Sequence, residues 1–395
     1  MGYICGITNI GSKTVSFERL YAMSRSMAGR GGERTGGYIN RGVGLACGFT
    51  RTAFEHNEPN EPYTMIRAGR TYTVVLDGEI YNLRELAGIM GRADFSCTAE
   101  AVLEAYVSFG YDCASMLNGI FSFAVYDERA GEVYLARDAL GAKPLYYHRD
   151  GAVIAFSSEI KGILRYMRGG IEVEREALGE LLRTADTSID GAVLYRTADE
   201  LQASSYAVCS ALGVSVREYK GRSDKILERW CARDTIALGE PPEEYDIQAV
   251  MGEMVAVFDH PRFDEYSISY LNTLTKLRES GVRRAVIEDP AIANSRSHAL
   301  ERADRLGSAR GISLGIAEPS AEREMKRRTL AIQEKKLARE ADILLSESGA
   351  YLPRFFGGDI LVRIQDERDI RVRIRMLGIA IQSELWLRRY PLMLV

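Results

Sequence analysis

A cysteine five residues into the chain, in Met1-Gly2-Tyr3-Ile4-Cys5-Gly6-Ile7, is the first group that could do chemistry. If Cys5 carried a free α-amine, its thiol could attack a carbonyl with that amine as base. Alpha-amino groups titrate near pH ~8, well below lysine, and thiolates are strong nucleophiles at modest pKa. The same residue also reads as a small buried hydrophobe at the start of a strand, the usual place of a free cysteine. A glycine-dense run, Gly29 to Gly37, carries Arg30, Glu33 and Arg34. Its backbone N–H groups could approach a ligand closely, and it reads equally as a flexible surface loop.

These groups need elements to hold them. Residues 3–9 read as a strand, and Ser16 to Met27 has helical spacing with Leu20, Met23 and Met27 on one face. Val43 to Phe54 and Thr71 to Leu76 read as strands. The second runs into Asp77-Gly78-Glu79-Ile80-Tyr81-Asn82, where Asn82 is placed to cap a helix over Leu83 to Met90. Ala99 to Phe109 is a second amphipathic helix. Ile120 to Tyr126 and Val133 to Asp138 form a hairpin across Glu128 to Gly131, and Leu145-Tyr146-Tyr147 pairs with Val153 to Phe156 across Arg149-Asp150-Gly151. Paired strands with two helices predict a layered α/β/β/α sandwich.

Composition narrows the function. The chain has 395 residues, 46% hydrophobic and 27% charged, enough for two or three domains with a sizeable core. A net charge of −4 gives no reason to expect a nucleic-acid or membrane surface. No apolar run approaches the ~18 residues of a membrane span, and the first residues do not read as a signal peptide. Six cysteines without a CxxC pair and four scattered histidines argue against a disulfide framework and against zinc, so no metal is expected. A reducing cytoplasm is the simplest home.

Five segments stand in order over about 160 residues: Cys5-Gly6-Ile7; Gly78-Glu79-Ile80-Tyr81-Asn82; Leu117 to Ala124; Ala136-Arg137-Asp138 with Gly141-Ala142-Lys143-Pro144-Leu145-Tyr146-Tyr147; and Phe156-Ser157-Ser158-Glu159-Ile160-Lys161. Together they closely resemble the glutaminase half of asparagine synthetase, a class II glutamine amidotransferase. The resemblance implies a four-layer α/β/β/α Ntn-hydrolase sandwich over 1–165 and, over 166–395, a truncated α-rich α/β domain like the synthetase. It makes Cys5 the nucleophile on glutamine's side-chain amide and Arg51 the clamp on its carboxylate, a task suited to a bidentate fork. Arg30 falls in the family's arginine loop and is implied as a further substrate contact. Gly78 would offer its N–H to the oxyanion, and Glu79 would hold the amine.

The chain departs from that pattern at four places. Asp77 stands where the family has an oxyanion-donating asparagine, and an ionised carboxylate cannot donate. Thr98 falls where an aspartate holds glutamine's ammonium. Arg30-Gly31-Gly32-Glu33 replaces Arg-Gly-Pro-Asp, and four residues precede Cys5, so a free amine there requires cleavage after Ile4.

In the second half Glu174 to Arg183 and Ala203 to Leu212 read as helices, the latter of small residues. The family's phosphate loop is missing, and Gln365 stands in for a phosphate lysine. ATP and Mg²⁺ serve the parent family, so the resemblance implies an incomplete site for both. Arg302, Arg305, Arg323, Arg327 and Arg328 read as a solvated helix face, and Glu384 to Tyr390 as a docking helix. The implied partners are glutamine and an ammonia acceptor or a second copy of the chain. The competing expectation is a catalytically impaired relative that binds partners.

Overall fold

The computed structural model describes residues 2–9, 14–31, 34–40, 42–49, 62–167, 171–186, 191–196, 198–223, 236–238, 241–242, 244–282, 284–289, 296–310, 313–317, 325, 327–390 and 392–394. The chain opens on β1 (Gly2–Asn9), buried along its whole length. Helix α1 (Phe17–Ser26) follows, capped by Ser16, whose Oγ accepts from the Arg19 N–H at 3.3 Å. Its buried face carries Leu20 and Met23, as the spacing predicts. The glycine-dense run forms a helical turn, α2 (Ala28–Gly31), and a strand, β2 (Arg34–Ile39). Next come β3 (Val43–Phe49), β4 (Tyr63–Arg67), β5 (Arg70–Ile80), α3 (Leu83–Ile89), α4 (Thr98–Phe109) and α5 (Cys113–Met116). The two expected hairpins are β6 (Gly119–Asp127) with β7 (Glu132–Arg137), and β8 (Tyr146–Asp150) with β9 (Val153–Ser157). Helix α6 (Ile160–Met167), β10 (Ile171–Val173) and α7 (Arg175–Thr184) lead to β11 (Asp199–Glu200), β12 (Ser205–Ser210) and β13 (Gly213–Glu218).

Two six-stranded antiparallel sheets result, ordered β11-β8-β9-β1-β3-β2 and β13-β12-β7-β6-β5-β4. Period-two patterning fills three layers. Ile4, Leu45, Cys47, Val75, Ala124, Leu135 and Phe156 pack between the sheets. Tyr3, Ile7 and Ala155 on the far side of the first sheet pack with Met23, Met27 and Ile163 of the α1 and α6 region. Val74, Leu76, Phe123 and Tyr134 of the second sheet pack under Leu86 of α3 and Val102 and Leu103 of α4. The expected four-layer α/β/β/α sandwich is what forms.

Two local expectations change, at residues 203–212 and at Asn82. Residues 203–212 are not a helix. Their Tyr206-Ala207-Val208-Cys209 core alternates between faces, with Tyr206 under the helices and Ala207 and Cys209 between the sheets, and β12 is zipped to both β7 and β13. Small residues there serve close packing, and Gly213 at φ +116° turns the chain. Both sheets thus take in strands beyond the boundary expected at residue 165. Asn82 does not cap α3: its amide donates to the Met116 carbonyl, and its Oδ1 accepts from the Asn118 N–H, each at 2.9 Å. The strand from Val43 is described to Phe49, and its expected continuation to Phe54 lies outside the described residues.

The second half holds a parallel three-stranded sheet, β14 (Ile236–Ala237), β15 (Arg284–Glu288) and β16 (Ser313–Ala317), in that order. Helices α8 (Ile247–Phe258), α9 (Ser267–Glu279), α10 (Arg296–Ala309), α11 (Arg327–Ser346), α12 (Tyr351–Phe356), α13 (Ile360–Gln365) and α14 (Ile370–Arg389) accompany it. The expected docking helix is the end of α14, where Trp386 is buried and donates to the Tyr195 hydroxyl at 3.2 Å. The final strand, β17 (Leu392–Leu394), runs parallel to β10 in the register Ile171–Leu392.

Candidate functional site

Cys5 lies in the middle of β1, opposite Ala46 of β3 and Ser157 of β9. Its nitrogen is a peptide amide continuous with Gly2-Tyr3-Ile4, and those residues pair with Phe49, Gly48 and Cys47. Ile4 is held twice by Ser158: its N–H donates to Ser158 Oγ, and its carbonyl accepts from the Ser158 N–H, both at 2.9 Å. The thiol is 0% exposed and belongs to the layer of Tyr3, Ile7, Met23 and Met27, on the helix-facing side of the sheet. Burial there, with Cys47 close by, pushes the thiol well above its ordinary pKa.

Asp77, Gly78 and Glu79 stand near the end of β5, opposite Ser122, Phe121 and Ile120 of β6. Gly78 has φ +135°, and a Cβ there would lie 2.1 Å from the Ile120 carbonyl oxygen, so only glycine fits. Asp77 is 1% exposed and shares the inner face of β5 with Val75, between the sheets. Its Oδ1 lies 3.0 Å from Lys143 Nζ, and the same ammonium lies 2.5 Å from Asp304 Oδ1 on α10. Glu79 is half-buried at the strand's end. Asp77, Gly78 and Glu79 are therefore together, while the Cys5 thiol projects from the opposite face of the other sheet.

Thr98 opens α4 in the outer helix layer of the second sheet. There Cys97 is the cap, its Sγ accepting from the Glu100 N–H at 3.4 Å. Burial pushes the Glu100 carboxyl up, but hydrogen bonds from Ser96 and the Arg92 guanidinium outweigh it and hold the group below the usual range. Arg30 falls in α2; its side chain, and the whole of Arg51, lie outside the described residues.

The densest chemistry lies where the halves meet, and the sequence reading missed it. Lys161 pairs with Glu159 at 2.8 Å and Asp259 at 3.3 Å, and donates to the Ala256 carbonyl at 2.7 Å. Asp259 adopts φ 65° and also accepts from the Tyr390 hydroxyl at 3.0 Å. Arg302 and Arg305 are not a solvated face. Arg302 is clamped by Asp264 and Asp289, and Arg305, 1% exposed, bonds Glu301 and the Tyr146 hydroxyl at 2.8 Å each. Asp264 and Asp289, from two other stretches, and Glu301, one turn earlier on the same helix, draw these charges inward. Burial pushes Glu301 up, but Arg305, Arg262 and Arg137 prevail and hold it far below the carboxylate range. Of the arginines read as solvated, Arg328 is exposed, whereas Arg323 and the Arg327 side chain lie outside the described residues. Lys143 was readable as part of Gly141 to Tyr147, but nothing local pointed to Asp304.

Among the described residues, no group of three or more His, Cys, Asp or Glu side chains is placed to hold a metal ion. No described helix is long and apolar enough to cross a membrane. Two surface cavities, about 870 and 650 Å³, lie away from β5; the smaller is lined by Tyr147, Tyr195, Glu200 and Val216.

The family model described as "Glutamine amidotransferase domain" matches residues 1–220. Asparagine synthetase [glutamine-hydrolyzing] 3 of Bacillus subtilis is 31% identical over 163 residues, 40% of this chain and 26% of that protein. A putative asparagine synthetase [glutamine-hydrolyzing] 2 of Methanocaldococcus jannaschii is 32% identical over 180 residues, 41% of this chain and 35% of that protein. The chain thus spans about a third or less of these relatives' length. Among solved structures, the allosteric regulatory enzyme of purine biosynthesis aligns over 80% of both chains at 12% identity and a TM-score of 0.44.

Proposed function

The chain belongs to the glutamine amidotransferase domain family, and from that premise we propose that it is an amidotransferase of the asparagine-synthetase type, hydrolysing glutamine to glutamate and ammonia. The observation that carries the reading is the family match over 1–220, which takes in β1, β5 and every strand of both sheets. In this reading Cys5 attacks the side-chain amide, ammonia leaves, and water releases glutamate from the thioester. Gly78 offers its N–H to the oxyanion, Arg51 and Arg30 face the substrate carboxylate, Glu79 holds the amine, and Thr98 contributes no charge. The step requires Cys5 to gain a free amine and its thiol to leave the helix-facing layer.

We read the remainder of the chain as a degenerate synthetase-like domain that starts near residue 220, where the family match ends, rather than at 166. Its lack of the phosphate loop supports no adenylation step, so no role for ATP or Mg²⁺ is derived. An ammonia-accepting partner or a second copy would complete amide transfer, and a cytoplasmic setting suits the free cysteines.

A second reading, a partner-binding relative without glutaminase activity, is favoured by one arrangement. The Cys5 thiol is buried on the side away from Asp77, and its nitrogen is locked in β1. Glutamate formation from glutamine by the purified full chain, with Cys5→Ala alongside, decides between them. Formation lost in Cys5→Ala carries the first reading. No glutamate from folded wild-type protein carries the second. Formation that persists in Cys5→Ala keeps the activity and removes Cys5 from it.

A further inference from the structure

We infer that Lys143 is a positioning residue that ties the charge beside Gly78 to helix α10 of the second half. One ammonium lies 3.0 Å from Asp77 and 2.5 Å from Asp304, and the three side chains are 3%, 0% and 8% exposed. The lysine's backbone is fixed. Asp138 accepts from the Leu140, Ala142 and Lys143 N–H groups at 2.9, 3.1 and 3.0 Å, so the stem emerges from a rigid turn. Asp304 is fixed in its turn, because the next residue, Arg305, binds Glu301, the Tyr146 hydroxyl and the Phe258 carbonyl.

Two carboxylates that share one buried ammonium compete for it, since each has lost its hydration and needs a counter-charge. While α10 is docked, Asp304 takes part of that charge and Asp77 keeps part of its own. When α10 withdraws, the share of the ammonium held by Asp304 passes to Asp77 and the end of β5 becomes less negative. The position of α10 therefore sets the field at the Gly78 N–H. That last consequence rests on the proposed glutaminase reading, whereas the charge sharing does not.

A double-mutant cycle on the full chain tests it. Asp77→Asn and Asp304→Asn each leave Lys143 one acid, and the double variant leaves it neither. The double variant should raise the unfolding constant at least about tenfold beyond the product of the single effects. Adding Lys143→Met to the double variant should recover most of that loss. Simple multiplication of the single effects, or no recovery with methionine, overturns the inference. Should a single variant fail to fold, native-state hydrogen exchange of the wild type decides: the amides of Val74 to Asp77 and of Ala303 to Leu306 should open together with one denaturant dependence, and separate openings overturn it. In the glutamine assay, Asp304→Asn should change kcat and spare KM; an unchanged kcat overturns the proposed control of the site. No glutamate from the wild type counts against the proposed function alone and leaves the cycle to judge the coupling.

Discussion

Burial pushes both Cys5 and Glu301 upward, and only Glu301 has counter-charges that reverse the effect. The Cys5 thiol, raised by burial under α1 and α6, has almost no thiolate at neutral pH. Iodoacetamide should label Cys5 only after denaturation, while half-buried Cys97 reacts first among the described cysteines in the native protein; peptide mass mapping reads this directly. Rapid native labelling at Cys5 would reveal a thiol out of its layer. Glu301 is held low by three arginines. Its folded pKa lies below the unfolded value, so its contribution is present above about pH 4.3 and lost as pH falls toward the folded value. Wild-type protein should exceed Glu301→Gln in stability at pH 7, and the gap in denaturant midpoints should shrink below about pH 4. Residue types announced some of this and not the rest. Gly78 was legible as the first residue of the segment Gly78 to Asn82 that carries the family resemblance, although it lies in strand β5 where a turn was expected. The burial of Arg302 and Arg305 was not legible, because the acids of Arg302, Asp264 and Asp289, and the Tyr146 hydroxyl and Phe258 carbonyl that Arg305 binds arrive from other stretches of the chain.

At the scale of elements, alternation and turn chemistry carried most of the information. Hairpins β6–β7 and β8–β9 formed where apolar runs flank Asp127 to Gly131 and Asp150-Gly151, and Asp127 Oδ1 accepts from the Arg129 and Ala130 N–H groups at 3.0 Å each. The failure at 203–212 has a plain cause: small residues suit a helix or a tightly packed strand, and only the pairing with β7 decides. The β5–β6 ladder also sets what glycine can become. Gly78→Ala drives a methyl into the Ile120 carbonyl at a positive φ and should cost ~3 kcal/mol or more in denaturant unfolding. Gly88→Ala, in α3 with nothing within 4 Å, should instead stabilise by about 0.5 kcal/mol. Equal effects at the two positions would count against the tight crossing at Gly78.

At the scale of the molecule, the sandwich is closed by strands that follow α7. β11 edges the first sheet, and β12 and β13 edge the second, covering Leu135 and Ala136 of β7. Protein ending at residue 165 should therefore expose the β7 edge and bind a hydrophobic dye, whereas protein ending near 220 should bind much less. Equal dye binding would show that β11 to β13 are dispensable. The layered half could be read from the chain because alternation and turn residues mark its hairpins, although β1 pairs with β9 from the far end of that half. The junction could not, because Lys143 and Asp304 are separated by 161 positions and Lys161 and Asp259 by 98.

The parallel pairing of Leu392–Leu394 with Ile171–Val173 has a mechanical consequence. A pull applied along this ribbon in opposite senses at residues 171 and 394 loads its hydrogen bonds side by side rather than one after another. The clasp should then resist as a shear joint and give way in a single rupture, with Tyr390 released from Asp259 in the same event.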